Sequence, residues 1–246
     1  MNLFRPVNGA SRNAIARVRA SPVGCPADDE GVRVYGFCWM DVKTGDVAGV
    51  AAFFGTALGW RFAVDEDDPR RATKIYADGR PVGGVSDLSA PIYPPGTPPH
   101  VAYYLGVDDA DRRTEAALAH GAQLVVGPFD AGDQGRIATL VDPGGAAFSL
   151  WRPGTFAGWS HPSGTPHAPA RMVLGSADPE RSRAFYRAVL GAEPRDAEFV
   201  RGAAGWEAVL PAPDPDGVAA RAGAGWDGRA RRLTGPGGLA FRVRSG

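Results

Sequence analysis

One order of local signals recurs along the chain, and it limits the architecture more than any single motif does. Residues 34–42 are rich in aromatic and β-branched side chains and predict a strand. Asp46 follows as a helix N-cap, and Val47, Val50, Ala51, Phe54 and Leu58 recur at helical spacing up to Gly59. Strands are predicted over 60–64, 72–77 and 81–88, the last two joined by Asp78-Gly79, a two-residue hairpin signal. After a proline-rich stretch the order returns. A strand over 100–107 precedes a helix over 110–120, capped by Asp108-Asp109 and closed by Gly121. Strands over 123–129, 135–141 and 146–151 complete this second β-α-β-β-β unit. A third begins with a strand over 172–176, Asp178 as cap and a helix over 179–190, where Phe185 and Tyr186 stand as Phe53 and Phe54 do in the first. The tail Gly235-Pro236-Gly237-Gly238-Leu239-Ala240-Phe241 echoes Asp142-Pro143-Gly144-Gly145-Ala146-Ala147-Phe148 and reads as a compressed fourth unit. The expected class is α+β, built from repeated modules.

Composition narrows the partners. Lys+Arg and Asp+Glu both number 27, so no basic surplus points to nucleic acid. The apolar runs are far shorter than the roughly 20 residues of a membrane span. Lys43 and Lys74 are the only lysines, and this arginine bias with abundant Ala, Gly and Pro suggests a high-GC coding sequence such as an actinomycete's. Cys25 and Cys38 have no Cys-x-x-Cys spacing and read as free thiols, which suits a cytoplasmic location. Residues 1–31 lack a secretory apolar core and are expected to form a flexible arm. The chain then divides into 32–153, holding two full modules, a turn-rich linker over 154–169, and a shortened 170–246.

These residues carry a resemblance. Asp46 followed by Ala51-Ala52-Phe53-Phe54-Gly55 and Leu58-Gly59-Trp60 resembles the opening of a vicinal oxygen chelate module. Val107-Asp108-Asp109-Ala110-Asp111 and the ending Asp142-Pro143-Gly144-Gly145-Ala146-Ala147-Phe148-Ser149-Leu150-Trp151 do the same. The stretch over 127–136 is similar to a loop of actinobacterial two-domain members. The superfamily includes glyoxalase I, bleomycin-resistance proteins and extradiol dioxygenases. The resemblance implies paired modules whose curved mixed sheets enclose a cleft, but it says little about the reaction.

Metal-dependent members supply His, Gln or Glu from the first strand of each module and Glu from the last strand. Counted back from the capping acids, those positions here hold Trp39 and Ala102, with His100 two residues earlier, and Ser149 on the closing strand. The later units place Arg171 and Arg242 there. Neither is a ligand at neutral pH. His161 and His167 match no zinc spacing. The expectation is a cleft with neither metal nor cofactor.

Strand alternation puts Phe37, Trp39 and Asp41 on one face and Cys38, Met40 and Val42 on the other, against the helices. A mid-strand carboxylate facing inward needs a partner or a raised pKa, so Asp41 is a candidate base or anchor. Tyr104, His100 and Ser149 are candidate donors to an oxyanion. Trp39, Phe37, Phe148, Trp151 and Arg136 are candidate ligand contacts. The leading expectation is a metal-independent enzyme acting on a small aromatic or polyketide-like molecule by proton transfer, of isomerase, lyase or cyclase type. The alternative is a bleomycin-resistance-like protein that sequesters such a molecule without chemistry. The third is a metal-dependent enzyme of glyoxalase or dioxygenase type. The partner is a small molecule, with neither nucleic acid nor membrane, and the protein acts as a monomer or homodimer. The working cleft is expected within 33–153, with 170–246 as a structural partner.

Overall fold

The computed structural model describes residues 36–66, 68 and 71–246. The expected arm over 1–31, Cys25 included, lies outside the described residues. The first module runs β1 (Phe37–Thr44), α1 (Val47–Leu58), β2 (Arg61–Val64), β3 (Thr73–Ala77) and β4 (Arg80–Asp87). Helix α1 starts where the Asp46 carboxylate accepts the Gly49 N–H at 2.8 Å, and it ends at Gly59. Asp78 and Gly79 both have positive φ, 47° and 71°, the conformation that lets a two-residue loop follow the strand twist. Strand β4 returns parallel to β1. The second module repeats this with β5 (His100–Gly106), α2 (Ala110–Ala119), β6 (Gln123–Asp130), β7 (Gly135–Val141) and β8 (Ala147–Pro153). Antiparallel pairing of β1 with β5 joins the modules into one mixed sheet, β2-β3-β4-β1-β5-β8-β7-β6.

The second half contains β9 (Arg171–Ser176), α3 (Pro179–Leu190), β10 (Ala197–Arg201), β11 (Gly205–Ala212), α4 (Pro215–Ala222), β12 (Trp226–Asp227), β13 (Arg232–Thr234) and β14 (Ala240–Ser245). Its sheet runs β10-β9-β11-β14-β13-β12. The shortening falls in a different unit from the one the sequence suggests. The fourth unit is complete, since β11 pairs parallel with β14 as β5 does with β8. The third is abbreviated: β10 lies beside β9 as β4 lies beside β1, and nothing corresponds to β2 and β3. The overlooked signal for α4 is Asp214-Pro215, an N-cap whose carboxylate accepts the Gly217 N–H at 2.8 Å, with proline in the first turn.

The helix-bearing faces of both sheets share one core. Met40, Val42, Tyr103, Leu105, Phe148 and Leu150 of the first half pack in a single cluster with Leu174, Tyr186, Trp206, Leu210 and Phe241 of the second. Helix α1 lies against α4, and α2 against α3. Phe241 is fully buried between Phe54 (5.3 Å) and Trp60 (5.1 Å), and burial of such a side chain is worth roughly 1.5–3 kcal/mol. Buried polar groups cross the same core in pairs. Trp206 Nε1 donates to the Tyr186 hydroxyl at 2.8 Å, which donates to the buried Asp142 carboxylate at 3.1 Å. Burial first, then the Asp142 charge, holds the Tyr186 phenol well above its ordinary pKa, so it stays a donor. The Ala208 N–H reaches the Tyr103 oxygen at 3.1 Å. With these faces consumed, each sheet keeps its opposite face for other work.

Candidate functional site

Register builds a row across the centre of the first sheet. Trp39 on β1 stands opposite Tyr104 on β5, and Tyr104 opposite Ser149 on β8. The β1–β5 register shifts between Phe37 and Trp39. That bulge breaks the simple alternation read from the sequence, because one extra residue re-aims the side chains before it. Phe37 therefore turns into the shared core, 4.6 Å from the Trp206 ring and 6.3 Å from that of Tyr103, and it is not a cleft residue. Cys38 is buried as expected, but beside Ile137 and Trp151 on the opposite face.

The row forms an aromatic box. Trp39 and Tyr104 are register neighbours, and the Trp151 ring lies 5.9 Å from that of Tyr104. Phe156, from the segment between the sheets, stands inside it, edge-on to Trp39 at 4.8 Å and 6.1 Å from Trp151. Lys74 places its ammonium 5.6 Å from the Trp39 ring and 5.7 Å from that of Phe156. The segment is held in place. Trp151 Nε1 donates to the Phe156 carbonyl at 3.1 Å, and the Trp159 N–H to the Cys38 carbonyl at 2.7 Å. Gly158 has φ 100°, and a Cβ there would meet the Cys38 carbonyl oxygen at 2.3 Å, so only glycine allows this approach.

A polar cluster borders the box. Asp41 and Lys43 alternate onto one strand face, and the Lys43 ammonium meets the Asp41 carboxylate at 2.9 Å. The Ser86 hydroxyl donates to the same oxygen at 2.5 Å, and Lys43 also donates to Tyr93 at 3.2 Å. Burial works against the Lys43 charge, but Asp41 and Tyr93 outweigh it and raise its pKa. Ser149 is buried and shares a 2.9 Å hydrogen bond with Thr139. His100 pairs with Lys43 in register at the start of β5, with its Nδ1 2.8 Å from the Pro98 carbonyl.

The structure thus gathers Trp39, Asp41, Tyr104, Ser149 and Trp151, with His100 at the edge. It does not bring the other candidates there. Phe148 is turned into the core against Tyr186 (5.3 Å) and Phe185 (6.1 Å). Arg136 grips Asp111 of α2 at 2.6 and 2.9 Å and Asp130 at 3.1 Å, which uses its fork for fold contacts. Lys43, Lys74, Ser86 and Tyr93 escaped the sequence reading, although the lysines had a signal: both lie in strands, and one is two residues from Asp41. Phe156 had none, since a loop aromatic shows no periodicity.

The row does not suit a metal ion. Trp39, Tyr104 and Ser149 offer no set of nitrogen and carboxylate donors. The matching row of the second sheet, Arg171, Val209 and Arg242, offers guanidinium groups. Its nearby carboxylate, Glu207, is clamped by Arg232 at 2.6 Å and Arg242 at 2.8 Å. Among the described residues, no three His, Cys, Asp or Glu side chains converge.

Comparison with known proteins places the fold. A profile of the glyoxalase-like domain matches residues 39–151. The anthracycline biosynthesis protein DauV of Streptomyces sp. (strain C5) is 32% identical over 169 residues, 64% of this chain and 61% of that protein. The chain thus spans less than two thirds of that relative's length. The Mn(II)-bound glyoxalase from Novosphingobium aromaticivorans superposes with TM-score 0.56 at 16% identity, covering 87% of this chain and 82% of its own. A variant of homoprotocatechuate 2,3-dioxygenase from B. fuscum gives 0.59 at 10%, covering 87% and 71%.

These findings correct the expectation of a metal-independent proton-transfer enzyme. Structures that share the fold along most of the chain include a Mn(II)-bound glyoxalase and a dioxygenase. Asp41, the intended base, is already bonded to Lys43 and Ser86. The binding protein without chemistry is better supported than that leading expectation. What the matches share is architecture: this chain has the glyoxalase- and dioxygenase-like fold of the vicinal oxygen chelate superfamily, with homologues in actinobacteria.

Proposed function

We propose that the protein binds a small aromatic, polyketide-like molecule on the face of the first sheet opposite its helices and holds it without chemical change, in the manner of a bleomycin-resistance protein. The observation that carries this reading is the row itself. Where a metal enzyme of this fold needs donors, the chain has Trp39, Tyr104 and Ser149, with Trp151 alongside. Aromatic faces hold a flat ring by stacking, and a buried hydroxyl fixes its orientation. Phe156 already sits against these rings, so the box accepts an aromatic guest, which would displace Phe156 and replace its contacts in kind. Lys74, beside Trp39 and 3.9 Å from the buried Asp68 carboxylate, offers a donor to a guest's phenolate or carbonyl oxygen. The name of the Streptomyces relative, an anthracycline biosynthesis protein, supports a fused-ring guest.

His100 and Asp41 border the guest in this reading, and Asp41 anchors Lys43 rather than removing a proton. The chain is read as a two-domain member of its superfamily, working in the cytoplasm as a monomer or homodimer. No helix among the described residues is long and apolar enough to cross a membrane. The test is titration of the full chain with an anthracyclinone, followed by calorimetry. Saturable 1:1 binding that Trp39→Ala weakens by roughly 1–3 kcal/mol supports the reading. Binding that Trp39→Ala leaves unchanged, or no binding, overturns it.

A further inference from the structure

A half-open cavity adjoins the aromatic box across Cys38, which lines the one and packs on the Trp151 of the other. It has a volume of about 410 Å³ and sits between the start of β1, the start of β9 and the segment that links the sheets. Pockets for small ligands run roughly 300–1,000 Å³, so this space suits a bicyclic or tricyclic molecule. Phe37, Met172 and Trp159 supply apolar wall, and Ser160, Ser163 and Thr165 supply hydroxyls.

The cavity is built rather than left over. Trp159 is fixed at both its nitrogens, the indole N–H donating to the Val82 carbonyl and the backbone N–H to that of Cys38, each at 2.7 Å. The far end of the segment is tied by the Ala170 N–H to the Val209 carbonyl at 3.0 Å. Between them Thr165 is buried, with its hydroxyl on the Pro162 carbonyl at 2.8 Å. These ties hold the segment over the space without filling it. Beside the cavity, His161 packs on Trp159 at 5.9 Å, and its Nε2 is buried without a hydrogen-bond partner. Burial lowers the His161 pKa, so the ring is neutral and adds no charge.

Charge at the mouth is positive. Arg195, Asp196 and Arg171 line it, two cations to one carboxylate, and Arg171 is exposed and forms no ion pair with the described residues. Arg171 occupies in the second sheet the row position that Trp39 holds in the first, since it faces Val209 as Trp39 faces Tyr104. A guanidinium at the edge of a cavity with aromatic and hydroxyl walls suits a ligand with a flat aromatic body and one anionic group, which its fork can grip with two hydrogen bonds.

We infer that this cavity is a second binding site, separate from the aromatic box, for a small aromatic carboxylate held by Arg171. The test uses 2-naphthoate and the neutral 2-naphthamide, titrated into the full chain by calorimetry. Naphthoate should bind about tenfold more tightly than the amide, the difference between a charge-assisted contact and a neutral one. Arg171→Gln should erase that preference, and Arg171→Lys should keep part of it. Arg171 is exposed, so both variants should fold, and their melting temperatures check this. A saturating anthracyclinone should leave naphthoate binding unchanged, so the two sites fail distinguishably, and displacement of naphthoate by it would overturn the separate site. Equal affinity for acid and amide, a preference that survives Arg171→Gln, or no binding of either probe would overturn the inference.

Discussion

Removing the Phe156 ring should make the protein a better binder. Phe156 meets Trp39 edge-on at 4.8 Å and Trp151 at 6.1 Å, and a guest stacking on those rings must first displace it. Each such aromatic pair is worth roughly 0.5–1.5 kcal/mol, so Phe156→Ala removes about 1–3 kcal/mol of competition. At about 1.4 kcal/mol per decade, affinity for an anthracyclinone should rise about 5- to 100-fold. The bond from Trp151 Nε1 to the backbone carbonyl at 156 survives the substitution, so the box keeps its walls. Phe156 is only half-buried, so the variant should lose less than the roughly 3–5 kcal/mol of a buried Phe→Ala change. Calorimetric titration reads the affinity, and a thermal melt reads the stability. A folded variant that binds more weakly would refute the reasoning, because it would make Phe156 part of the receptor instead of an occupant.

Two further outcomes follow from the polar contacts. Because Asp41 and Tyr93 raise the Lys43 pKa in the folded state, its stabilising contribution is complete below the ordinary lysine value of 10.5. It is lost as pH climbs through the raised folded value, so urea midpoints should fall as pH rises above the ordinary lysine value in the native protein and fall less in Lys43→Met. Tyr186→Phe removes the hydroxyl that accepts from Trp206 Nε1 and donates to Asp142 Oδ2, while Asp142 Oδ1 keeps its bonds from the Gly144 and Ala146 N–H groups, and should cost about 1–3 kcal/mol in denaturant unfolding.

The strands and helices of the first half are legible because apolar periodicity and capping acids agree there. Asp46, Asp109 and Asp178 each accept the N–H three residues on, as an N-cap must. The second half is harder to read. Strand β12 has only two residues and β13 three, too few for alternation to show, and their identity comes from pairing, β12 with β13 and β13 with β14. The site was legible in its strand residues up to the bulge beside Trp39. A bulge changes the facing of Phe37 without leaving a mark in the residue pattern, so Phe37 was misplaced while Trp39 and Asp41 were not. Charge partners were not legible at all. Arg136 and Asp111 are 25 residues apart and meet only because α2 packs on β7.

The central claim is that the protein holds its guest without changing it. It is tested most directly by mass spectrometry of an anthracyclinone recovered after prolonged incubation with equimolar full chain, with and without added Mn(II). The account predicts that the guest co-elutes with the protein and is recovered at its original mass in both samples. A new mass that grows with time and needs the protein, in either sample, would contradict it.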